Sequence, residues 1–267
     1  MENRKKTSVL NVLEAKNKKK LSMITCYDAA FARLIDKTDI DMVLVGDSVG
    51  NVCMGEDGTI PVTVDDMVHY SRCVSKGLTH PLLVTDLPFM SYKISREQAL
   101  TTSSRIIQEG GANAVKMEGG VEIADYIKAI VDAGIPVMGH VGFTPQSINS
   151  LGGFKIQGKT QENIDRLKKD VIALQEAGVF SIVFELIPDK LASELTSMLD
   201  VPTIGIGAGP HCDGQVLVLH DLLGFSDEFN PKFLKKYANL SSIIVDAVST
   251  YSKEVKEGVF PDMDHSY

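Results

Sequence analysis

The stretch ANAVKMEGGVEIADYIKAIVDAGIPVMGH, residues 112–140, decides the fold. It places two short apolar runs, Ala114–Met117 and Val137–His140, on either side of an amphipathic segment, Glu122–Ala133. Short runs that are apolar throughout are typical of parallel strands buried on both faces. Gly134 follows the amphipathic segment, and glycine favours the left-handed end of a helix. The stretch therefore predicts a strand, a helix and a second strand parallel to the first.

The same unit recurs along most of the chain. The predicted strands are Ser22–Thr25, Met42–Val45, Leu82–Thr85, Ala114–Met117, Val137–His140, Ser181–Phe184, Thr203–Ile206 and Val216–Leu219. The predicted helices are a cap helix around Ser8–Ala15, then Asp28–Lys37, Arg96–Glu109, Glu122–Ala133, Asn163–Ala177, Asp189–Leu199 and Lys232–Tyr251. Two long connections, residues 46–64 and 143–160, are expected to be structureless lids or binding loops.

Strands alternating with helices in a chain of 267 residues predict a closed (β/α)₈ barrel that forms one domain over residues 1–267. The main alternative is an open doubly wound sheet. That fold normally carries a glycine-rich phosphate turn after its first strand. Here Cys26-Tyr27-Asp28 follows the first strand, so the barrel is favoured.

Composition excludes several classes of protein. The net charge is −8, which argues against a nucleic-acid partner, because such proteins need a basic surface. No apolar run approaches the roughly 18 residues that a membrane-spanning helix requires, so no membrane association is expected. The four cysteines are scattered without a Cys-x-x-Cys pair, which argues against a zinc knuckle and fits the reducing cytoplasm.

Polar residues follow or end five of the predicted strands. In a barrel the chemistry lies at the carboxyl ends of the strands. These residues are Asp47 and Ser48 after the second strand, Asp86 after the third, Lys116 and Glu118 at the fourth, His140 at the fifth and Glu185 after the sixth. A single aspartate in such a place is most often a helix cap. Several carboxylates together repel one another unless a cation or proton lies between them, and carboxylates without thiolates suit Mg²⁺.

The residue types suggest separate roles. Lys116 offers positive charge to an anionic substrate. Glu185 follows three apolar residues, where desolvation favours a general base. His140 is either a hydrogen-bond donor to substrate or a structural histidine, and the sequence leaves both open. From the residues alone we predict a Mg²⁺-dependent barrel enzyme that acts on a small anion.

Several motifs together resemble one family, the ketopantoate hydroxymethyltransferases of pantothenate biosynthesis. The stretches that carry the resemblance are Met23–Asp28, Val45–Asn51, Ala114–Gly120, Pro136–Gln146, Phe184-Glu185 with Pro188, and Gly205–Gly209 followed by Asp213–Val218. They occur in the family's order and extend over nearly the whole chain.

The resemblance implies a (β/α)₈ TIM barrel of the phosphoenolpyruvate/pyruvate-type superfamily and a cytoplasmic homo-oligomer, commonly a decamer. It implies transfer of a hydroxymethyl group from 5,10-methylene-tetrahydrofolate to 3-methyl-2-oxobutanoate (α-ketoisovalerate). The product would be 2-dehydropantoate, formed through a Mg²⁺-stabilised enolate.

The family's site residues carry over by motif. Asp47, Asp86 and Glu118 would hold the metal. Asp47, Ser48, Asp86 and Lys116 would contact the keto acid. Glu185 would accept the proton, and His140 remains a possible substrate contact.

Two other functions are considered. One is a Mg²⁺-dependent carbon–carbon lyase or a mutase acting on a small α-keto acid. Such lyases carry a catalytic cysteine in a Lys-x-Cys motif, which this sequence lacks. The other is a non-catalytic metal- or ligand-binding barrel, and the intact set of acidic residues weighs against it.

Overall fold

The computed structural model describes residues 5–226 and 229–267. The chain divides into two units, residues 1–218 and residues 219–267. The first unit contains a closed barrel of eight parallel strands that follow one another in sequence order. The predicted (β/α)₈ barrel is therefore confirmed, while a single domain over residues 1–267 stays a prediction. In the described part of the chain, no helix is both long and apolar enough to cross a membrane.

The strands lie close to their predicted positions. They are β1 Leu21–Thr25, β2 Met42–Val45, β3 Leu82–Asp86, β4 Ala114–Glu118, β5 Val137–Gly142, β6 Ser181–Glu185, β7 Thr203–Ile206 and β8 Gly214–Leu217. The helices are α1 Val9–Glu14, α2 Ala29–Ile35, α3 Val64–Ser75, α4 Arg96–Gln108, α5 Ala124–Asp132, α6 Ile148–Leu151, α7 Gln161–Glu176, α8 Asp189–Met198, α9 Leu219–Leu223 and α10 Leu240–Glu257.

The eighth strand begins two residues before its predicted start and ends two residues before its predicted end. It starts at Gly214, which pairs with Leu21 of β1 and Ile204 of β7 and so closes the barrel. A Cβ atom at Gly214 would lie 2.6 Å from the Leu21 carbonyl oxygen. The close approach of two neighbouring strands therefore requires glycine there, and an apolar pattern does not reveal such a position.

The predictions for the segments between and after the strands were wrong at α3, in both long connections and at the start of the last helix. No helix was predicted at α3, which begins at a capping box in which Thr63 and Asp66 bond each other's backbone N–H groups. The two long connections are not structureless, because they contain the π-helix Gly50–Met54 and the short helix α6. The last helix was predicted to begin at Lys232 but begins only at Leu240, after a segment in which Tyr237 N donates to Leu222 O.

Helix α1 closes the amino end of the barrel. Ser8 caps it through a capping box with Asn11. Val12 packs into an apolar cluster formed by the inward side chains of the strands, among them Met42. Lys16, just after α1, donates from Nζ to Thr196 O at 2.8 Å and pairs with a carboxylate oxygen of Asp213 at 2.9 Å. The apolar cluster fills this end, which leaves the carboxyl end for polar groups.

We expect Met42→Ala to lower the free energy of unfolding by about 2–5 kcal/mol, because it removes a fully buried side chain from the barrel interior. Chemical denaturation measures the loss. Met198→Ala is the matched control, since Met198 is 40% exposed and its removal should change stability by no more than about 0.5 kcal/mol. Equal losses in the two variants would contradict this account of the core.

Candidate active site

The structure brings the predicted site residues together at the carboxyl end of the barrel. They are Asp47 and Ser48 beyond β2, Asp86 at the end of β3, Lys116 and Glu118 on β4, His140 on β5 and Glu185 at the end of β6. The register pairs Asp86 with Lys116 and Glu118 with His140 on neighbouring strands. Because side chains alternate along a strand, residues paired in this way point to the same side. Five strands thus contribute to one cluster.

Lys116 is the buried cation of the cluster. Its Nζ lies 2.9 Å from Asp86 Oδ1 and 3.9 Å from Glu118 Oε1, and each of the three side chains is at most 4% exposed. Burial by itself lowers the pKa of Lys116, but the carboxylates of Asp86, Glu118 and Asp47 outweigh it and hold the pKa above its usual value. Lys116 is therefore charged wherever its neighbours are ionised.

Asp47 and Asp86 are two buried carboxylates at the ends of the neighbouring strands β2 and β3. Asp47 N donates to Asp86 Oδ2 at 3.0 Å, which fixes their relative position. Burial raises the pKa of Asp47, and the charges of Asp86 and Glu118 raise it further. Burial also raises the pKa of Asp86, against the opposing effect of Lys116. Positive charge beside this pair would favour its ionised form.

The aspartate pair suits one hard cation. Asp86 Oδ1 is buried and accepts no hydrogen bond of good geometry, although the Lys116 ammonium is close. Within residues 5–226 and 229–267, no three His, Cys, Asp or Glu side chains form a ready-made metal cluster. Mg²⁺ does not need one, because it usually keeps several waters and takes only one or two protein carboxylates. The donor set therefore fits Mg²⁺ held mainly by Asp47 and Asp86.

Glu118 makes more protein contacts than the aspartates. Its Oε1 lies 3.3 Å from His140 Nδ1, and its Oε2 accepts a hydrogen bond from Gln146 N at 3.1 Å. Histidine and the charge of Lys116 lower the pKa of Glu118 against the opposing effect of burial. Glu118 is thus ionised and held by the protein, and its predicted role as a metal ligand stays a prediction.

His140 lies between two glutamates. Its Nδ1 is near Glu118, and its Nε2 lies 3.3 Å from Glu185 Oε2. Burial and the charge of Lys116 lower the pKa of His140, but the two glutamates together raise it to about 9. A histidine with that pKa is protonated near neutral pH, although Lys116 Nζ also lies 3.2 Å from Nδ1, and His140 Nε2 makes no hydrogen bond of good geometry. Glu185 is the more accessible partner, with 17% of its side chain exposed.

Ser48 has a partner that the sequence analysis missed. The Tyr27 hydroxyl, just beyond β1, lies 2.8 Å from Ser48 Oγ, and Tyr27 is buried. Burial raises the pKa of the Tyr27 phenol, which keeps it neutral and able to donate. Gly46 leaves room for this contact, because a Cβ atom there would lie 2.9 Å from Ser48 Oγ. Tyr27 lies within a stretch that carries the family resemblance, and that was its only signal.

Gln146 and Tyr92 were also missed. Both are buried and hydrogen-bonded to each other, and together they contact Asp47 and Glu118. Gln146 ends a motif quoted for the resemblance, whereas Tyr92 lies in the connection after β3 and carried no sequence signal. Only the fold brings them to the carboxylates.

Comparison of the sequence with known families gives one assignment. The sequence model of the ketopantoate hydroxymethyltransferase family matches residues 6–263. The 3-methyl-2-oxobutanoate hydroxymethyltransferase of Geobacter sulfurreducens is 52% identical over 266 residues, which are 99% of each chain. The enzyme of that name from Thermoanaerobacter sp. (strain X514) is 50% identical over 263 residues, 98% of this chain and 96% of the relative.

Solved structures share the fold at low sequence identity. A 2,3-dimethylmalate lyase of the PEP mutase/isocitrate lyase superfamily aligns with a TM-score of 0.61 and 16% identity, over 97% of this chain and 92% of its own. A phosphonopyruvate hydrolase solved with oxalate and Mg²⁺ aligns with a TM-score of 0.62 and 13% identity, over 98% and 93%. At these identities the likeness establishes the barrel architecture alone.

We expect Lys116→Met to destabilise the fold by about 3–5 kcal/mol, because it leaves buried carboxylates without their cation. The loss should be larger at pH 8 than at pH 5. Burial already raises the pKa of Asp86. Without Lys116, the Asp86 carboxyl is protonated in the folded variant at low pH, and the free energy of unfolding falls as the pH rises and this proton is lost.

Denaturation at the two pH values measures this loss. Lys128→Met is the control, since it removes only an exposed pair with Asp132 and should change stability by no more than about 0.5 kcal/mol. A Lys116 variant as stable as its control at pH 8 would contradict the proposed electrostatic balance.

Proposed function

The chain belongs to the ketopantoate hydroxymethyltransferase family, and from this we propose the reaction that it catalyses. It transfers a hydroxymethyl group from 5,10-methylene-tetrahydrofolate to 3-methyl-2-oxobutanoate and forms 2-dehydropantoate, with Mg²⁺ as cofactor. The main support for the proposal is the buried cluster at the carboxyl end of the eight-stranded barrel, which consists of Asp47, Asp86, Lys116 and Glu118.

Charge balance supports a divalent cation in this cluster. Three buried carboxylates surround the Lys116 ammonium and the His140 imidazolium, which leaves an excess of one negative charge, and the neighbouring Glu185 carboxylate adds a second. Asp47 and Asp86 would hold Mg²⁺ through carboxylate oxygens, with Glu118 as the third acidic group. Bound Mg²⁺ would supply Lewis-acid polarisation of the substrate ketone, which makes the neighbouring carbon more acidic.

The keto acid is proposed to lie against Asp47, Ser48, Asp86 and Lys116. Its carboxylate would pair with the Lys116 ammonium, the buried cation at this end of the barrel. Ser48 Oγ, oriented by the Tyr27 hydroxyl, would donate a hydrogen bond to a substrate oxygen. These contacts orient carbon 3 of the substrate, the carbon that carries the hydrogen to be removed.

Glu185 is proposed as the general base. It is a partly exposed carboxylate at the end of β6, and a carboxylate in that position can approach a bound substrate. His140 is less suited to the role, because its pKa of about 9 keeps it protonated. Because Nδ1 faces Glu118, we assign to His140 Nε2 either the positioning of Glu185 or, once substrate is bound, a hydrogen bond to substrate.

The proposed reaction forms one carbon–carbon bond and breaks two carbon–nitrogen bonds. Glu185 takes the proton from carbon 3, and the electron pair left behind forms a bond to the methylene carbon of the folate. The bonds from that carbon to the folate nitrogens break, and one water supplies the hydroxyl oxygen of the product. The proton taken by Glu185 and the remaining proton of the water go to the two nitrogens, and tetrahydrofolate leaves.

The direct test is an assay with purified protein, 3-methyl-2-oxobutanoate and 5,10-methylene-tetrahydrofolate, in which 2-dehydropantoate is measured. We expect product only while a divalent cation is present, with EDTA abolishing its formation and excess Mg²⁺ restoring it. Cleavage or rearrangement of an α-keto acid without hydroxymethyl transfer would instead favour the lyase or mutase alternative. Binding of the keto acid without any turnover would favour a non-catalytic barrel.

We expect Glu185→Gln to bind the keto acid and Mg²⁺ but to exchange the carbon 3 hydrogen with deuterium about 10²–10⁴-fold more slowly, because the base is lost. Proton NMR in deuterated water without folate measures this exchange and separates it from transfer. Glu194→Gln is the matched control, since Glu194 pairs only with Lys168 on the outer helices. Exchange at the wild-type rate in Glu185→Gln, with none in His140→Asn, would assign the base to His140.

We also propose that the enzyme is a cytoplasmic homo-oligomer, as the family resemblance implies. An apolar stripe along α10, formed by Ile244, Val248, Tyr251 and Val255, supports an interface, since each of these side chains is at least 43% exposed. Their spacing places them on one helix face, and large exposed apolar patches mark interaction surfaces. The four cysteines are free thiols, as the cytoplasm would keep them.

We expect Val248→Glu to reduce the assembly size in analytical ultracentrifugation, because a carboxylate would be buried in the proposed interface. Ser249→Glu adds the same charge outside the stripe and should leave assembly unchanged. A wild-type protein that sediments as a 29.0 kDa monomer would contradict the proposal.

A further inference from the structure

Gln146 connects the long segment after β5 to the acidic cluster. It lies in the short turn Pro145–Ser147 and is only 2% exposed. Its side chain is neutral and does not titrate, so the residue type suggests no role as acid or base in enolate chemistry. Its position and hydrogen bonds suggest another kind of role.

Each polar group of the Gln146 side chain has a defined partner. Nε2 donates to Asp47 Oδ2 and to Leu87 O, both at 2.9 Å. Oε1 accepts from the Tyr92 hydroxyl at 2.9 Å. The reversed amide would place its carbonyl oxygen against a carboxylate and a carbonyl, so these neighbours fix the orientation of the amide.

The backbone of Gln146 holds a second carboxylate. Gln146 N donates to Glu118 Oε2 at 3.1 Å, so one residue binds acidic groups that come from β2 and β4. Tyr92 adds to this arrangement, because its hydroxyl accepts from Glu118 N at 3.1 Å. The turn after β5 thereby joins two of the proposed acidic metal-site residues.

We infer that Gln146 is the positioning residue of the metal site, an inference that rests on the Mg²⁺ site of the proposed function. Its amide holds Asp47 Oδ2, which orients the carboxylate so that Oδ1 would be the oxygen offered to the cation. Groups that orient metal ligands through hydrogen bonds typically change metal affinity 10- to 100-fold when they are removed. Gln146 is assigned this role through its bond to Asp47 rather than as a ligand of the cation.

A purely structural role makes a different prediction. A glutamine that only bonds the backbone should affect folding without affecting the cation. Gln175 comes close to this, because its Oε1 accepts from Asp200 N at 2.7 Å and Val201 N at 3.3 Å. Its Nε2 donates only a long bond, 3.5 Å, to Asp200 Oδ2, and all three contacts lie away from the acidic cluster. It provides a matched control for the loss of a hydrogen-bonded glutamine.

The test is titration of the whole protein with Mn²⁺, a hard cation that carboxylates also bind, with the free ion followed by electron paramagnetic resonance. No keto acid or folate is added. We expect Gln146→Met to raise the Mn²⁺ dissociation constant 10- to 100-fold, and Gln175→Met to leave it unchanged even where thermal stability falls. Equal dissociation constants in wild type and folded Gln146→Met would overturn the inference.

Tyr92→Phe provides a second variant in case Gln146→Met does not fold. It removes the hydroxyl that orients the Gln146 amide, and we expect a weaker but measurable loss of Mn²⁺ affinity. If circular dichroism shows that Gln146→Met is unfolded, unchanged affinity in Tyr92→Phe overturns the inference.

The inference and the proposed function can fail separately. A wild type that transfers the hydroxymethyl group, with unchanged Mn²⁺ affinity in folded Gln146→Met, overturns the inference alone. A wild type that binds Mn²⁺ without transfer activity, with weaker binding in Gln146→Met, overturns the proposed reaction and supports the inference. A wild type that binds no Mn²⁺ overturns both the metal site and the inference.

Discussion

The ion pair between Lys116 and Asp86 is the interaction on which the rest of the site depends. The two groups meet at 2.9 Å where almost no solvent reaches them, so their charges are screened little by water. Burial raises the pKa values of Asp47 and Asp86, and the charges of the neighbouring carboxylates raise them further against the opposing effect of Lys116. The negative charge of these carboxylates makes the carboxyl end of the barrel suited to a divalent cation.

The barrel tolerates this charge because its two ends are built differently. At the amino end, Val12 of helix α1 joins the inward side chains of the strands in an apolar cluster, and that burial stabilises the fold. At the carboxyl end, the Gln146 side chain donates to Asp47, and the backbone N–H groups of Asp47 and Gln146 donate to Asp86 and Glu118. The free energy gained by apolar burial at the amino end thus offsets the cost of burying several carboxylates at the carboxyl end.

Much of the fold and the polar core of the site could be predicted from local patterns. Buried parallel strands are short continuous apolar runs, so seven strands begin within one residue of their predicted starts. Helix α3 escaped prediction because its start depends on a capping box between Thr63 and Asp66 rather than on apolar spacing. Residues 232–239 carried a helical pattern, yet a hydrogen bond from Tyr237 to Leu222 holds part of that segment in another conformation.

The sequence by itself determined the alternation of strands and helices, and with it which residues end the strands. Those ends meet in any parallel barrel, so Asp47, Asp86, Lys116, Glu118, His140 and Glu185 could be predicted to share one site. The tertiary structure decided how they are charged and held. Burial and distance set the pKa of His140, and residues remote in sequence, Tyr27, Tyr92 and Gln146, supply the hydrogen bonds. Such contacts depend on the packing of loops, which leaves no periodic signal in the chain.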